Sequence, residues 1–197
     1  MITFPSDIIP SEFDWGLQSN VQSFSSPLSG SVQTLKLPGD RWVFTFTYAA
    51  LIDSQIARMS AFLMAARGGA ERFNVSNPMR LAPTGAGGGT PVVAGAGQTG
   101  ATLNTSGWPN STLVLKVGDF FQVNGELKMV TANVTSSGTG TATIAFEPPL
   151  RAAPANLASI VTSNPAATFR LVENESRWTY MQGFVASLTI NAVESWV

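Results

Sequence analysis

Apolar and polar residues alternate along "RWVFTFTY": Trp42, Phe44, Phe46 and Tyr48 fall on one face, Val43, Thr45 and Thr47 on the other. A period of two with the aromatics on one side marks a strand laid over a core. Just upstream, "SGSVQTLKL" has strand character, and Pro38-Gly39-Asp40 supplies turn chemistry between the two runs. Residues 29–50 are therefore read as a β-hairpin. The period then changes. In "LIDSQIARMSAFLMAARGG", Ile52, Ile56, Met59 and Leu63 draw one apolar stripe along a helix of roughly residues 53–67. Gly68-Gly69 ends it where a left-handed cap is wanted.

A short strand, "ERFNV", precedes Asn77-Pro78, and from about 82 to 110 the chain is Gly, Ala, Thr and Pro with few large apolar groups. The sharpest local signal follows. In "GDFFQVNGELKMVTANV", Asn124-Gly125 separates two strand runs, and this pair suits a two-residue hairpin turn in which both positions need positive φ. "SSGTGT" leads into "ATIAFEPPL", completing a three-stranded meander that Pro148-Pro149 stops. Alternation returns in "GFVASLTINAVESWV", with Phe184, Leu188 and Ile190 on one face. The pattern amounts to roughly seven to nine strands and one helix.

Composition narrows the chemistry. Apolar residues make up 44% of the chain, but charged residues only 12%, about half the usual share of roughly 25%. Such a surface is better suited to partners than to bulk water, which suggests an assembly component. The net charge of −1 comes without a basic stripe, so phosphate-backbone binding has no electrostatic footprint. Cys and His are both absent, which removes thiolate nucleophiles, Cys/His zinc sites and His-based acid–base catalysis. No cofactor or metal is expected. The opening "MITFPSDIIPSEFDW" lacks the order of a secretory signal, and no apolar run is long enough to insert in a membrane.

Three constellations could carry chemistry. Gly95-Ala96-Gly97-Gln98-Thr99-Gly100 spells the dinucleotide fingerprint, which needs a strand before it and a helix after. Gly107 and Pro109 deny that helix, so a flexible or extended loop is expected. Glu173 and Glu175 would lie about 6–7 Å apart on a strand, within the range of glycosidase pairs. They sit in polar "VENESRW" and are read as solvated turn residues. A Ser nucleophile would need Lys36, Lys116 or Lys128 as its base. No S-x-x-K spacing occurs, and Lys128 beside the tight turn is expected to be solvated. Among the tryptophans, Trp42 is assigned to the core, Trp15 and Trp196 to interface or ordinary packing, and Trp108 to an external contact of the Gly-rich module.

The order "RWVFTFTYAALIDSQIARMSAFLMAARGGAERFNV" resembles the hairpin–helix–strand unit of phage tail-tube-like proteins. "GTPVVAGAGQTGATLNTSGWP", "VGDFFQVNGELKMVTANVTSSGTGTATIAFEPPLRAAP" and "FRLVENESRW" resemble segments of the distal tail proteins of long-tailed phages and related gene-transfer particles. The resemblance covers most of residues 30–195 and lies in order and texture. It implies a mainly β, tail-tube-like sandwich or barrel with one α-helix packed on it, formed by residues 1–83 with 165–197. Residues 84–164 would be a small inserted β module with a Gly-rich leading linker. It also implies a homo-oligomeric ring, usually a hexamer, at the virion tail tip. Its neighbours would be the tail-tube protein and the baseplate hub, with tape-measure protein and then DNA passing through the lumen.

The hairpin 31–48 is where subunit contacts are expected, through Leu35 and Leu37, with Trp15 as a further interface residue. Other readings stay open: a module at about 86–164 binding host-surface glycan, a hydrolase using Glu173 and Glu175, or another ring such as the tube subunit or a baseplate adaptor.

Overall fold

The computed structural model describes residues 1–183 and 185–196. The chain begins with β1 (Glu12–Gln18), β2 (Val21–Ser25), β3 (Val32–Lys36) and β4 (Arg41–Leu51), followed by helix α1 (Asp53–Ala66) and β5 (Phe73–Ser76). A second run holds β6 (Val92–Val93), β7 (Thr102–Ser106), β8 (Leu113–Leu115), β9 (Phe120–Val123), β10 (Glu126–Val130), β11 (Val134–Thr135), β12 (Ala142–Glu147) and β13 (Ile160–Val161). The chain returns through β14 (Ala166–Leu171), β15 (Thr179–Met181) and β16 (Val185–Glu194). The fold is mainly β with one α-helix among the described residues. It has more strands than the alternation announces, because several are only two or three residues long.

The first sheet has the order β1–β4–β16–β14–β5, with β15 added beside β16. The alternation seen in β4 holds: Trp42, Phe44, Phe46 and Tyr48 are buried, and Leu188 and Ile190 of β16 face the same core. Phe184, grouped with them by alternation, lies outside the described residues. Helix α1 covers this face with Ile56, Met59, Phe62 and Leu63. Ile52 is not part of the buried stripe; it is the exposed residue before the helix, and its N–H donates to Gln55 Oε1. The left-handed turn begins one residue early, at Arg67.

The second sheet has the order β13–β9–β10–β12–β7–β6. A bridge between Val92 and Ser159 brings β6 back toward β13, so this sheet nearly closes on itself as a barrel. Asn124 and Gly125 both have positive φ in the tight turn between β9 and β10, as the sequence requires. Leu103, Phe121, Ile144 and Phe146 form its separate core.

The two sheets are firmly joined. Phe120 and Leu127 of the second run belong to the core of the first sheet. The Trp42 indole N–H donates to the Leu127 carbonyl at 2.9 Å, and its ring lies 5.4 Å from that of Phe120. Lys128, expected in solvent, is fully buried. Its ammonium lies 2.7 Å from Glu126 and donates to the Pro149 carbonyl at 2.8 Å. β10 lies between β9 and β12, so covering from both neighbours overrides the solvation usual beside a turn. Burial pulls the Lys128 ammonium below its ordinary value, against the pull of Glu126. Arg151, which touches Glu126, also binds Glu194 of β16 at 2.8 Å, and Glu194 accepts the Trp42 backbone N–H.

The start of the Gly-rich segment is bonded to its neighbours. The N–H groups of Ala86, Gly87 and Thr90 donate to the carbonyls of Leu113, Val114 and Gly107. A Cβ on Gly85 or Gly89 would overlap the carbonyl oxygens of Val114 and Gly107. Glycine is used there for close backbone approach rather than looseness. Asp119 fixes the start of the segment. Its buried carboxylate accepts from the Thr84 N–H and hydroxyl, the Gly85 N–H and the Lys116 N–H. Burial alone would raise this carboxyl, but the four donors together hold it below its ordinary value.

A depressed carboxylate contributes stability that is present above the unfolded value of about 3.9 and lost as pH falls through the lower folded value. Asp119→Ala should cost about 2–4 kcal/mol at neutral pH, because it strands the buried donors. Asp119→Asn should flatten the acid limb of a urea-midpoint profile taken from neutral pH to about pH 2. An unchanged acid limb would show that Asp119 does not hold this segment.

Candidate assembly surface

The hairpin expected between β3 and β4 does not form. β3 pairs with β2 in a separate two-stranded sheet, while both sides of β4 are occupied, by β1 and β16. Pro38-Gly39-Asp40 is a corner that turns the chain from an outlying arm into the main sheet.

Every residue of β2 and β3 is exposed, on both faces of the pair. In the register, Gln22 faces Leu35 and Phe24 faces Gln33, which puts Phe24 and Leu35 on one side. Val21, Val32, Thr34 and Lys36 lie on the other. Phe24 is 69% exposed, Leu35 59% and Leu28, in the connecting loop, 98%. No charged side chain occurs from Ser19 to Leu35. Natural edge strands are normally protected by charge, proline or a covering element. This arm has no charge between Ser19 and Leu35, only Lys36 at its root, and no cover along its strands.

Its root, by contrast, is fixed. Asp40 is buried, accepts the Asn20 N–H at 2.9 Å and sits 3.4 Å from the Lys36 ammonium. The Asn20 amide donates to the Pro38 carbonyl at 2.8 Å, and Leu37 N–H donates to the Asn20 carbonyl. Lys36 reaches Glu147 of β12 at 3.2 Å; with Asp40, that carboxylate holds the ammonium above its ordinary value. Beside the root is an open groove of about 720 Å³, floored by Leu37, Pro38, Pro148, Pro149, Leu150 and Trp196. The Trp196 ring is flanked by the Arg41 and Arg151 guanidinium groups at 4.3 and 4.4 Å.

The sequence-derived candidates separate on this structure. Leu35 is on the arm, and Leu37 is half-buried at its root in the groove. Trp15 is half-buried on β1, stacked on Phe44 at 5.7 Å and edge-on to Phe169 at 5.6 Å. Trp108 is not an external contact in this chain: it is 4% exposed in the core of the second sheet, and its N–H donates to Thr105 Oγ1 at 2.8 Å. Its setting beside Pro109 in the Gly-rich module suggested an outward contact, but the side chain belongs to the same cluster as Leu103, Phe121 and Ile144. The fingerprint glycines lead into strand β7 rather than a helix.

Glu173 accepts from the Asn191 amide, whereas Glu175 is held by Arg177 at 2.6 Å. Both line a cleft of about 380 Å³ with Trp178 and face different partners. The residues missed by sequence reading are Val21, Phe24, Leu28 and Val32. Their signal was the absence of charge across "SNVQSFSSPLSGSVQTL", which periodicity alone does not register.

No protein-family model matches the chain, and no match to a curated protein is found.

Asp40→Ala removes the buried acceptor at the root and should cost about 1–3 kcal/mol. It should also speed limited proteolysis within residues 21–36 relative to the rest of the chain. Unchanged cleavage there would show that the root does not orient the arm.

Proposed function

We propose that this chain is a structural, ring-forming subunit of a phage tail tip, of the distal tail type, joining the tail tube to the baseplate hub and acting by contact rather than by reaction. The observation that carries the reading is the arm with both faces exposed and no charge from Ser19 to Leu35. An isolated two-stranded hairpin is marginally stable in water and needs a further surface to bury its apolar groups. Identical copies can supply that surface, and a repeated contact closes when the rotation between copies divides a full turn.

Three further features support the same reading. The first sheet leaves β1 as an edge strand, paired on one side only with β4. The low overall charge leaves much of the outside neutral. The mainly β architecture, with one helix covering a sheet and a second β unit fixed to it, agrees with the fold that the resemblance to distal tail proteins implies. In such a ring the tube protein and the hub would lie on opposite sides, and DNA would cross the lumen without sequence-specific contact.

The reading is tested by light scattering and negative-stain imaging of the purified protein. The wild type should form a closed ring with a central opening. Phe24→Asp combined with Leu35→Asp should give a folded monomer with an unaltered circular-dichroism spectrum, since both side chains are exposed in the monomer. A wild type that stays monomeric at high concentration, or a double variant that still forms rings, would contradict it.

A further inference from the structure

We propose that the groove at the root of the arm receives the arm tip of a second copy of this chain, an inference that rests on the self-assembly reading above and names the surface it uses. The floor of the groove is Leu37, Pro38, Pro148, Pro149, Leu150 and Trp196. Its prolines bring no backbone N–H, so the floor offers contact area more than hydrogen bonds. The charges at its rim are already engaged within the chain. Lys36 is held by Asp40 and Glu147, Arg151 by Glu194 and Glu126, and Arg41 lies over the Trp196 ring. A cationic occupant would find no free carboxylate there, since Asp40, Glu147, Glu126 and Glu194 are all paired, and burying it would be costly. A neutral, apolar occupant meets no such cost.

The arm is that occupant by composition. It presents Phe24 and Leu35 on one side and Leu28 at its end, with no charged group from Ser19 to Leu35. A groove of about 720 Å³ is in the size range that accepts several such side chains. The arm cannot fill its own groove. β3 runs outward from Leu37 as a paired strand of five residues, placing the tip about 17 Å beyond the root. A donor tip and an acceptor root on the same element allow a heterologous contact, in which each copy gives to one neighbour and receives from the other, and the ring reading takes this over a reciprocal two-fold exchange. That geometry propagates around a ring without a two-fold axis.

The chain has no cysteine, so introduced thiols report on one contact at a time. Phe24→Cys protein is mixed with Leu150→Cys protein, and separately with Pro38→Cys, and oxidised under mild conditions. Val117→Cys, exposed on the second unit, serves as the off-groove control. Docking raises the local concentration of the paired thiols, so both groove positions should give mixed dimers at least about tenfold faster than the control. Circular dichroism checks that each variant is folded; the two acceptor positions guard against one failing.

Wild-type oligomers by light scattering, with groove linking no faster than control, would overturn the groove while leaving self-assembly standing. Absence of any oligomer would overturn both. A Phe24→Cys/Leu150→Cys protein that closes its disulfide within one chain would assign the groove to its own arm and overturn the exchange.

Discussion

A two-stranded ribbon has no interior, and that constraint organises the reading of this molecule. Each larger sheet has a core: the aromatic face of β4 under α1, and the nearly closed second sheet around Leu103, Phe121, Ile144 and Phe146. The β2–β3 arm has none, yet its apolar groups are as large as those in the cores. Hydrophobic stabilisation scales with apolar area removed from water, at about 25 cal/mol per Å². For the arm, that gain exists only when a further surface arrives.

The rest of the chain ties down the root of the arm. Asp40 and Asn20 fix its root to the first sheet, and Lys36 ties it to β12 of the second. The two sheets are themselves joined by Trp42, by the shared core residues Phe120 and Leu127, and by the buried charges of Glu126, Lys128 and Glu194 with half-buried Arg151. Buried ion pairs are a weak source of net stability, but removing one member leaves an uncompensated charge. Their role here is geometric: they fix the angle between the two units and so the shape of the groove between them.

Much of the fold was legible where local pattern and packing agree. Strand β4, helix α1 and the Asn124-Gly125 turn each need only periodicity or positive φ, and each stands where the sequence puts it. Partner choice was not legible. Pro38-Gly39-Asp40 does turn the chain, but β1 and β16 occupy both sides of β4, and that competition is non-local. Lys128 and Trp108 misled for the same reason, since covering by distant segments decided their burial. Glycine was read as looseness, although at Gly85 and Gly89 it serves close backbone packing. Of the candidate surface, Leu35 and Leu37 were legible as apolar contributors, Leu35 exposed on the arm and Leu37 half-buried at its root. Phe24 and Leu28 were not, because the useful signal was missing charge rather than present pattern.

Amide hydrogen exchange across residues 21–36, followed as protein concentration rises, tests the central claim most directly. The account predicts fast exchange in dilute monomer and protection that grows in step with assembly, while β4 and β16 stay protected throughout. Arm amides protected equally at every dilution, or open in the assembled state, would contradict it.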